Sequence, residues 1–178
     1  MELSLRNLKG MDILSVRRLA GAELDKIEQG IRPSGFYHQK AVRLKSACMA
    51  IESNGGLETV FSLPMHKLYS LLINIKGIGR ETADSIILYG AGKPTFVVDN
   101  YTWRILSRAY GRENEYDYQS LKKELEGNTT RSARLYMEMH AQFVELGKRY
   151  CTKSNPNCVD CPLSRICAYR KNTSSKSR

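Results

Sequence analysis

Four cysteines form a tight group near the end of the chain: Cys151, Cys158, Cys161 and Cys167, separated by six, two and five residues. Thiolates this close can converge on one point, and four soft sulfur ligands suit an iron–sulfur cluster or a zinc ion. The fifth cysteine, Cys48, lies about a hundred residues earlier, which argues against a disulfide framework. The spacing therefore predicts a metal centre, with Cys48 as a small buried residue of a helix.

A second group is Lys76-Gly77-Ile78-Gly79-Arg80, which lies between two helical patterns. The glycines permit a tight turn and close backbone approach. The amides of such a hairpin and of the next helix N-terminus carry partial positive charge and can bind a phosphate. A lone Gly-x-Gly is most often only a turn, so both interpretations remain open on these residues alone.

A third candidate is Asp99, which directly precedes a helical pattern. An aspartate in this position commonly caps the helix, and such a cap is worth about 1 kcal/mol. On the residue pattern alone, the capping role is favoured.

Helical periodicity predicts the elements that carry these groups. Residues 36–53 form one amphipathic pattern, and residues 65–75 and 81–91 flank the glycine hairpin. Ser62-Leu63-Pro64 predicts a helix start with Ser62 as N-cap. Further helical patterns cover residues 12–28 (two short helices), 99–110, 117–126 and 130–149. Residues 95–98 could pass for a strand but have no partner strand, so the predicted fold class is all-α.

The chain of 178 residues has a net charge of +10 and a pI near 9.5. This size fits one domain or two small lobes, and 42% apolar residues suffice for a core. A basic domain often binds nucleic acid, although a generally basic surface fits the charge equally well. The sequence has no run of 18 apolar residues and no charged start followed by an apolar stretch. We therefore expect an intracellular, reducing compartment.

Three segments together resemble the endonuclease III, or HhH-GPD, superfamily of DNA glycosylases. Residues 71–83 resemble its helix–hairpin–helix, residues 92–99 its loop of Gly and Pro ending in an aspartate, and the cysteine spacing its [4Fe–4S] loop. They occur in the family's order and cover roughly residues 31–168. The resemblance implies a helical glycosylase fold and an enzyme of base excision repair. Such an enzyme flips a damaged or mismatched base from double-stranded DNA and hydrolyses its N-glycosidic bond.

The resemblance also assigns roles to the candidate residues. Breaking an N-glycosidic bond builds positive charge on the sugar, and Asp99 would stabilise that charge or activate the attacking water. The hairpin residues Lys76, Gly77, Ile78, Gly79 and Arg80 would bind DNA. Cys151, Cys158, Cys161 and Cys167 would hold a [4Fe–4S] cluster. Zinc is the alternative metal, but zinc modules more often have two CxxC pairs, whereas this segment has one.

Position 81 bears on the type of reaction. Bifunctional family members carry a lysine here, whose amine forms a Schiff base that permits strand cleavage. This chain has Glu81, which cannot form an imine. The resemblance therefore favours a monofunctional glycosylase, with two alternatives: a bifunctional glycosylase and abasic-site lyase, or a non-catalytic DNA-binding module. Glu81 is also a favourable carboxylate in the first turn of a helix.

A flipped base needs a pocket with stacking or hydrogen-bonding side chains. Tyr37, Glu81 and His140 are candidates for this pocket. His140 lies on a helical pattern with Tyr136 and Phe143, so a structural role is favoured for it.

The resemblance divides the chain into four parts. Residues 1–30 would be partial N-terminal helices, 31–148 the glycosylase core, 149–168 the cluster loop and 169–178 a disordered basic tail. The family usually begins with further helices before the segment that matches residues 1–10, so we expect an N-terminally truncated form. We expect the full-length protein to be a monomer in the cytoplasm or nucleoid of a prokaryote.

Overall fold

A computed structural model describes residues 2–112 and 117–175. These residues form helices, turns and extended segments and include no β-strand, in agreement with the predicted all-α class. None of their helices is both long and apolar enough to cross a membrane. The chain divides into two compact units, residues 1–91 and 92–178. This division falls within the segment 31–148, which the sequence analysis treated as one core.

The described residues of the first unit, 2–91, form seven α-helices. They are α1 (Glu2–Gly10), α2 (Val16–Gly21), α3 (Leu24–Ile31), α4 (Tyr37–Ser53), α5 (Gly56–Ser62), α6 (Met65–Ile73) and α7 (Arg80–Ser85). A 3-10 turn follows α3, and α7 continues as a π-helical turn over Ile86–Gly90. The long α4 packs against α2, α3 and α5, so it forms the centre of this unit.

Two apolar clusters stabilise the first unit. One contains the fully buried Ile27 and Ala41 together with Cys48, which is 4% exposed. Burial, assisted by the nearby Glu52, raises the pKa of the Cys48 thiol to about 11. The prediction that Cys48 is a buried residue is thus confirmed. The other cluster contains Leu68, Leu72 and the residues beside the glycine hairpin.

The predicted helix start at Ser62 is wrong. Ser62 is the last residue of α5, and its hydroxyl donates to the carbonyl of Thr59. The backbone at Pro64 caps α6 instead, without a side-chain hydrogen bond. No helix is predicted between residues 53 and 62, but Gly56 opens the short α5, which the fully buried Val60 anchors.

The second unit begins with an extended segment, and its described residues (92–112 and 117–175) contain four helices. They are α8 (Asn100–Tyr110), α9 (Tyr118–Gly127), α10 (Ala133–Arg149) and α11 (Ala168–Ser175). The extended segment is buried: Phe96 packs edge-on against Tyr136 with ring centroids 5.4 Å apart, and its amide donates to Oε1 of Glu126. This packing fixes the chain immediately before Asp99.

Helices α8 and α10 pack closely in this unit. Gly147 of α10 lies against the ring of Tyr101 on α8, and a Cβ at this glycine would clash with that ring. The end of α10 therefore lies beside α8. The cysteine segment, residues 151–167, starts there. After that segment, α11 covers part of the tail that was expected to be disordered, and residues 176–178 lie outside the described residues.

Candidate active site and cysteine centre

The glycine hairpin joins α6 to α7 in the first unit. Gly77 adopts a φ of +92°, and a Cβ there would lie 2.6 Å from Cγ of Arg43. Both the backbone conformation and the close approach therefore require glycine. Gly79 differs, because its φ of −90° is open to any residue and its Cβ position faces empty space.

One side of the hairpin packs in the apolar core of the first unit, and the other side is exposed to solvent. Ile75 and Ile78 are 8% and 7% exposed and belong to the apolar cluster of the first unit. Lys76, Gly79 and Arg80 are exposed. The turn thus presents two glycines and two cations to solvent above a packed apolar side, an arrangement suited to a phosphate.

Glu81 and Tyr37 also lie in the first unit. Glu81 is exposed in the first turn of α7, and its backbone carbonyl accepts from the Ser85 hydroxyl. Tyr37 is half-buried at the start of α4, where its ring stacks at a tilt on His38 and lies under the guanidinium of Arg32.

Asp99 begins α8 in the second unit as its N-cap. Its Oδ1 accepts a 2.7 Å hydrogen bond from the amide of Thr102, so the predicted cap is confirmed. Its Oδ2 lies 3.5 Å from Nε2 of His140 on α10. Both side chains are largely buried, 13% exposed for Asp99 and 15% for His140.

The surroundings of Asp99 favour its ionised form. Burial alone raises the pKa of this carboxyl group, but hydrogen bonds from His140 and from the backbone and side chain of Thr102 outweigh it. The pKa of Asp99 is therefore lowered from its ordinary value of 3.8. The structure thus brings together two predicted site residues, Asp99 and His140, whose contact the sequence analysis did not anticipate.

The four grouped cysteines line one cavity of the second unit. Its wall also contains apolar side chains from α8, α10 and the cysteine segment, among them Ile105, Leu146 and Leu163. The pKa of Cys158 is raised, first by burial and then by the charges of the other three thiols. Mutual repulsion of this kind is relieved when thiolates bind a cation. Within residues 2–112 and 117–175, no group of His, Cys, Asp and Glu converges tightly enough to hold a single metal ion.

Two arginines of α8 hold the cysteine segment. Arg104 donates from Nε to the carbonyl of Cys151 at 2.7 Å. Arg108 donates to the carbonyls of Thr152 and Lys153 at 2.7 and 2.9 Å, and its Nη1 lies 3.4 Å from Sγ of Cys151. From the sequence, Arg104 and Arg108 contribute only to the net basic charge. Their bonds span more than 40 residues, so local patterns give no signal for them.

Comparison with known proteins shows the family of this chain. A profile of the HhH-GPD superfamily base excision DNA repair proteins matches residues 3–131. The chain belongs to the HhH-GPD superfamily. The expected glycosylase fold and the resemblance to endonuclease III are thereby confirmed.

Two relatives illustrate the range of this superfamily. The chain is 36% identical over 170 residues to a candidate DNA repair glycosylase of Methanocaldococcus jannaschii, covering 94% of this chain and 77% of the relative. It is 28% identical over 160 residues to a thymine-DNA glycosylase of Aeropyrum pernix, covering 88% of this chain and 69% of the relative.

Solved structures of a DNA glycosylase and of endonuclease III are also similar to this chain. Helicobacter pylori 3-methyladenine DNA glycosylase bound to 1,N6-ethenoadenine matches with a TM-score of 0.71 and 32% identity, over 83% of this chain and 76% of that one. A non-covalent endonuclease III–DNA complex shares the fold with a TM-score of 0.77 at 22% identity, over 98% and 77%. The expectation of a base excision repair DNA glycosylase is confirmed at this level.

Proposed function

We propose that the protein is a monofunctional DNA glycosylase that hydrolyses the N-glycosidic bond of a damaged or mismatched base flipped from duplex DNA. The observation that carries this proposal is the state of Asp99. Its carboxylate is fixed at the start of α8, largely buried, and kept ionised by Thr102 and His140.

Asp99 acts mainly as an electrostatic group. A carboxylate whose pKa is lowered is a weak base, so it removes a proton from water poorly. The same carboxylate keeps its full charge in a site of low dielectric constant, where it stabilises the positive charge that develops on the sugar. Stabilisation of this charge is therefore its main role, and orientation of the attacking water is secondary.

Water is the nucleophile because position 81 carries no amine. Glu81 has a carboxylate in the first turn of α7, so it forms no Schiff base with the sugar. Arg80 stays protonated and is equally unable to form an imine. Glu81, Tyr37 and His140 are each proposed as a contact of the flipped base.

The hairpin contributes DNA binding. Lys76, Gly77, Ile78, Gly79 and Arg80 would hold one backbone phosphate through two exposed cations and through backbone amides other than that of Ile78, which donates to the carbonyl of Ile75. This contact fixes the duplex without reading its sequence.

Cys151, Cys158, Cys161 and Cys167 would hold a [4Fe–4S] cluster. The donor set fits, since four thiols line one partly apolar cavity and the charges of three raise the pKa of the fourth. A cluster distributes its ligands over separate iron atoms and needs less convergence than one tetrahedral zinc ion. When bound, the cluster would supply structural cross-linking of this segment, because glycosidic hydrolysis transfers no electrons.

The test is base release from a panel of duplexes that contain one lesion each. Because two similar proteins are a thymine-DNA glycosylase and a 3-methyladenine DNA glycosylase, the panel begins with mismatched thymine and alkylated purines, followed by uracil, mismatched adenine and oxidised pyrimidines. We expect release without strand cleavage, no release by Asp99→Asn, and no product trapped by borohydride. Trapping of the wild-type chain on abasic DNA would overturn the monofunctional assignment.

Two variants at position 81 sharpen this test. Glu81→Lys supplies the missing amine, so a borohydride-trapped product should appear in this variant alone. Glu81→Gln removes only the charge and should slow release of cationic, alkylated bases more than release of neutral ones. An equal change in the two release rates, each compared with wild type, would show that Glu81 does not contact the flipped base.

A further inference from the structure

A carboxylate of α9 holds the extended segment that leads to Asp99. Oε1 of Glu126 accepts a 2.7 Å hydrogen bond from the backbone amide of Phe96, which lies 30 residues earlier in the chain. Asp99 follows Phe96 by three residues and begins α8. Neither the glycine hairpin nor the proposed base contacts include Glu126.

The segment needs such an acceptor because it is buried outside any sheet. Residues 95–98 are between 0% and 4% exposed, and they form no strand. A buried amide that has no acceptor in a helix or sheet destabilises the fold unless another group accepts its proton. A charged acceptor makes the stronger hydrogen bond. Glu126 therefore fixes the backbone at a point where no strand ladder does so.

Phe96 also contacts the helix that carries His140. Its ring meets those of Tyr136 and Phe143 edge-on, with centroids 5.4 and 6.3 Å apart. These two residues lie four before and three after His140 on α10, so the three side chains share one face of that helix. The position of Phe96 therefore bears on both members of the contact between Asp99 and His140.

The charge of Glu126 has a second neighbour, which gives a competing explanation for this residue. Nζ of Lys122 lies 4.0 Å from the same Oε1, one helical turn earlier on α9. The Glu126 side chain is 34% exposed, and an ion pair that reaches solvent contributes little to stability. The short bond to the Phe96 amide is thus the more specific contact of this carboxylate.

We propose that Glu126 is a positioning residue of the glycosylase reaction, whose bond to the Phe96 amide sets the place of the Asp99 carboxylate relative to His140 and to the sugar. The proposal rests on the proposed function and adds to it a residue that touches neither base nor sugar. A displacement of about 1 Å can cost on the order of a hundredfold in rate. Glu126 should therefore affect the chemical step and leave DNA affinity unchanged.

Two variants separate the position of the acceptor from its charge. Glu126→Gln keeps the length of the side chain and an oxygen that can accept from Phe96, but it has no charge. Glu126→Asp keeps the charge on the side of Lys122, but it withdraws the carboxylate by one methylene group. Glu124→Asp is the matched control, because Glu124 lies on the same helix and makes its hydrogen bonds among the described residues only through its backbone carbonyl, to Asn128.

The intact, metal-loaded protein is used to measure single-turnover base release and, separately, affinity for a duplex with a stable abasic-site analogue. We expect Glu126→Asp to slow base release roughly tenfold to a hundredfold. Glu126→Gln should slow it about threefold or less, since a neutral acceptor remains. Both variants should bind the duplex as the wild type does. A charge that served only to pair with Lys122 would give the opposite order, with Glu126→Asp the more active variant, and that order would overturn the proposal.

Hydrogen–deuterium exchange gives a readout that does not depend on activity. The amides of residues 95–99 should exchange faster in Glu126→Asp than in Glu124→Asp, and equal exchange in the two would also overturn the proposal. If both Glu126 variants released base at the wild-type rate while Asp99→Asn released none, the proposed function would stand without this positioning role. A wild-type chain that released no base from any duplex would overturn the proposed function itself.

Discussion

Nε2 of His140 lies 3.5 Å from Oδ2 of Asp99, while Oδ1 of the same carboxylate accepts from the amide of Thr102. Both oxygens of Asp99 are therefore oriented, one by its own helix and one by α10. A carboxylate fixed in this way has little freedom to turn, which is what electrostatic stabilisation of a transition state requires.

The first prediction concerns pH. The pKa of Asp99 is lowered from 3.8, so its carboxylate stays ionised above that pH and is protonated only as the pH falls further. Replacing His140 with Leu removes two of the causes that lower this pKa, so the acidic limb of activity should move to higher pH. Single-turnover base release between about pH 4 and 8 should show no loss from protonation of Asp99 in the wild type, whose limb lies below this range, and a loss at the acidic end in His140→Leu.

His140→Gln separates orientation from packing. Its amide can still donate to Asp99, so the acidic limb should return towards that of the wild type. If His140→Leu instead lowered the rate by the same factor at every pH, His140 would only be packing against its neighbours.

The second prediction separates the two roles of Asp99. Asp99→Asn keeps a good N-cap but loses the charge, so base release should vanish while the free energy of unfolding changes little. Asp99→Ala should lose both, with a decrease in that free energy of about 1 kcal/mol. Chemical denaturation and base release, measured on the same preparations, give the comparison. Full activity in Asp99→Asn would reduce Asp99 to a helix cap.

The third prediction uses the two glycines of the hairpin as a matched pair. Gly77→Ala should lower the free energy of unfolding by more than about 1 kcal/mol, since φ is +92° and the new Cβ would meet Arg43. Gly79→Ala should leave stability nearly unchanged but weaken binding to undamaged duplex, because the methyl group would stand where a phosphate approaches. Unchanged DNA affinity in a folded Gly79→Ala protein would contradict the proposed phosphate contact.

The fourth prediction concerns the anchoring of the cysteine segment. Arg108→Gln removes hydrogen bonds to the carbonyls of Thr152 and Lys153, so the segment should become more mobile. We expect faster thiol labelling of the metal-free protein and faster loss of iron from the loaded one. Arg149→Gln is the control, since Arg149 is exposed and pairs with Glu145 within α10. Equal labelling rates in both variants would show that Arg108 does not anchor the segment.

Features that depend on a few neighbouring residues, such as a helix cap or a turn, are predicted correctly here. The position of Asp99 before a helix and the two glycines between helices depend on backbone geometry over a few residues, and both form as expected. The prediction at Ser62 failed because Gly55 and Gly56 separate two helices directly, without the loop that glycine pairs usually mark.

Contacts between distant segments could not be predicted from periodicity. His140 lies on the half-buried side of α10, and its pairing with Asp99 depends on the close packing of α8 and α10, which Gly147 permits. Arg104 and Arg108 have the spacing of any exposed helical pair. Only the folded position of the cysteine segment shows that their donors meet its carbonyls.

The side chains of Arg104 and Arg108 hold residues 151–153 by hydrogen bonds to main-chain carbonyls. These bonds involve no metal ligand atom. Cys151, the first ligand of the proposed cluster, is therefore positioned by hydrogen bonds that involve no cofactor. Insertion of the proposed cluster would then have to order only the remainder of the segment, up to Cys167. We expect iron-starved cells to accumulate folded apoprotein that can mature later, and not a chain destined for degradation.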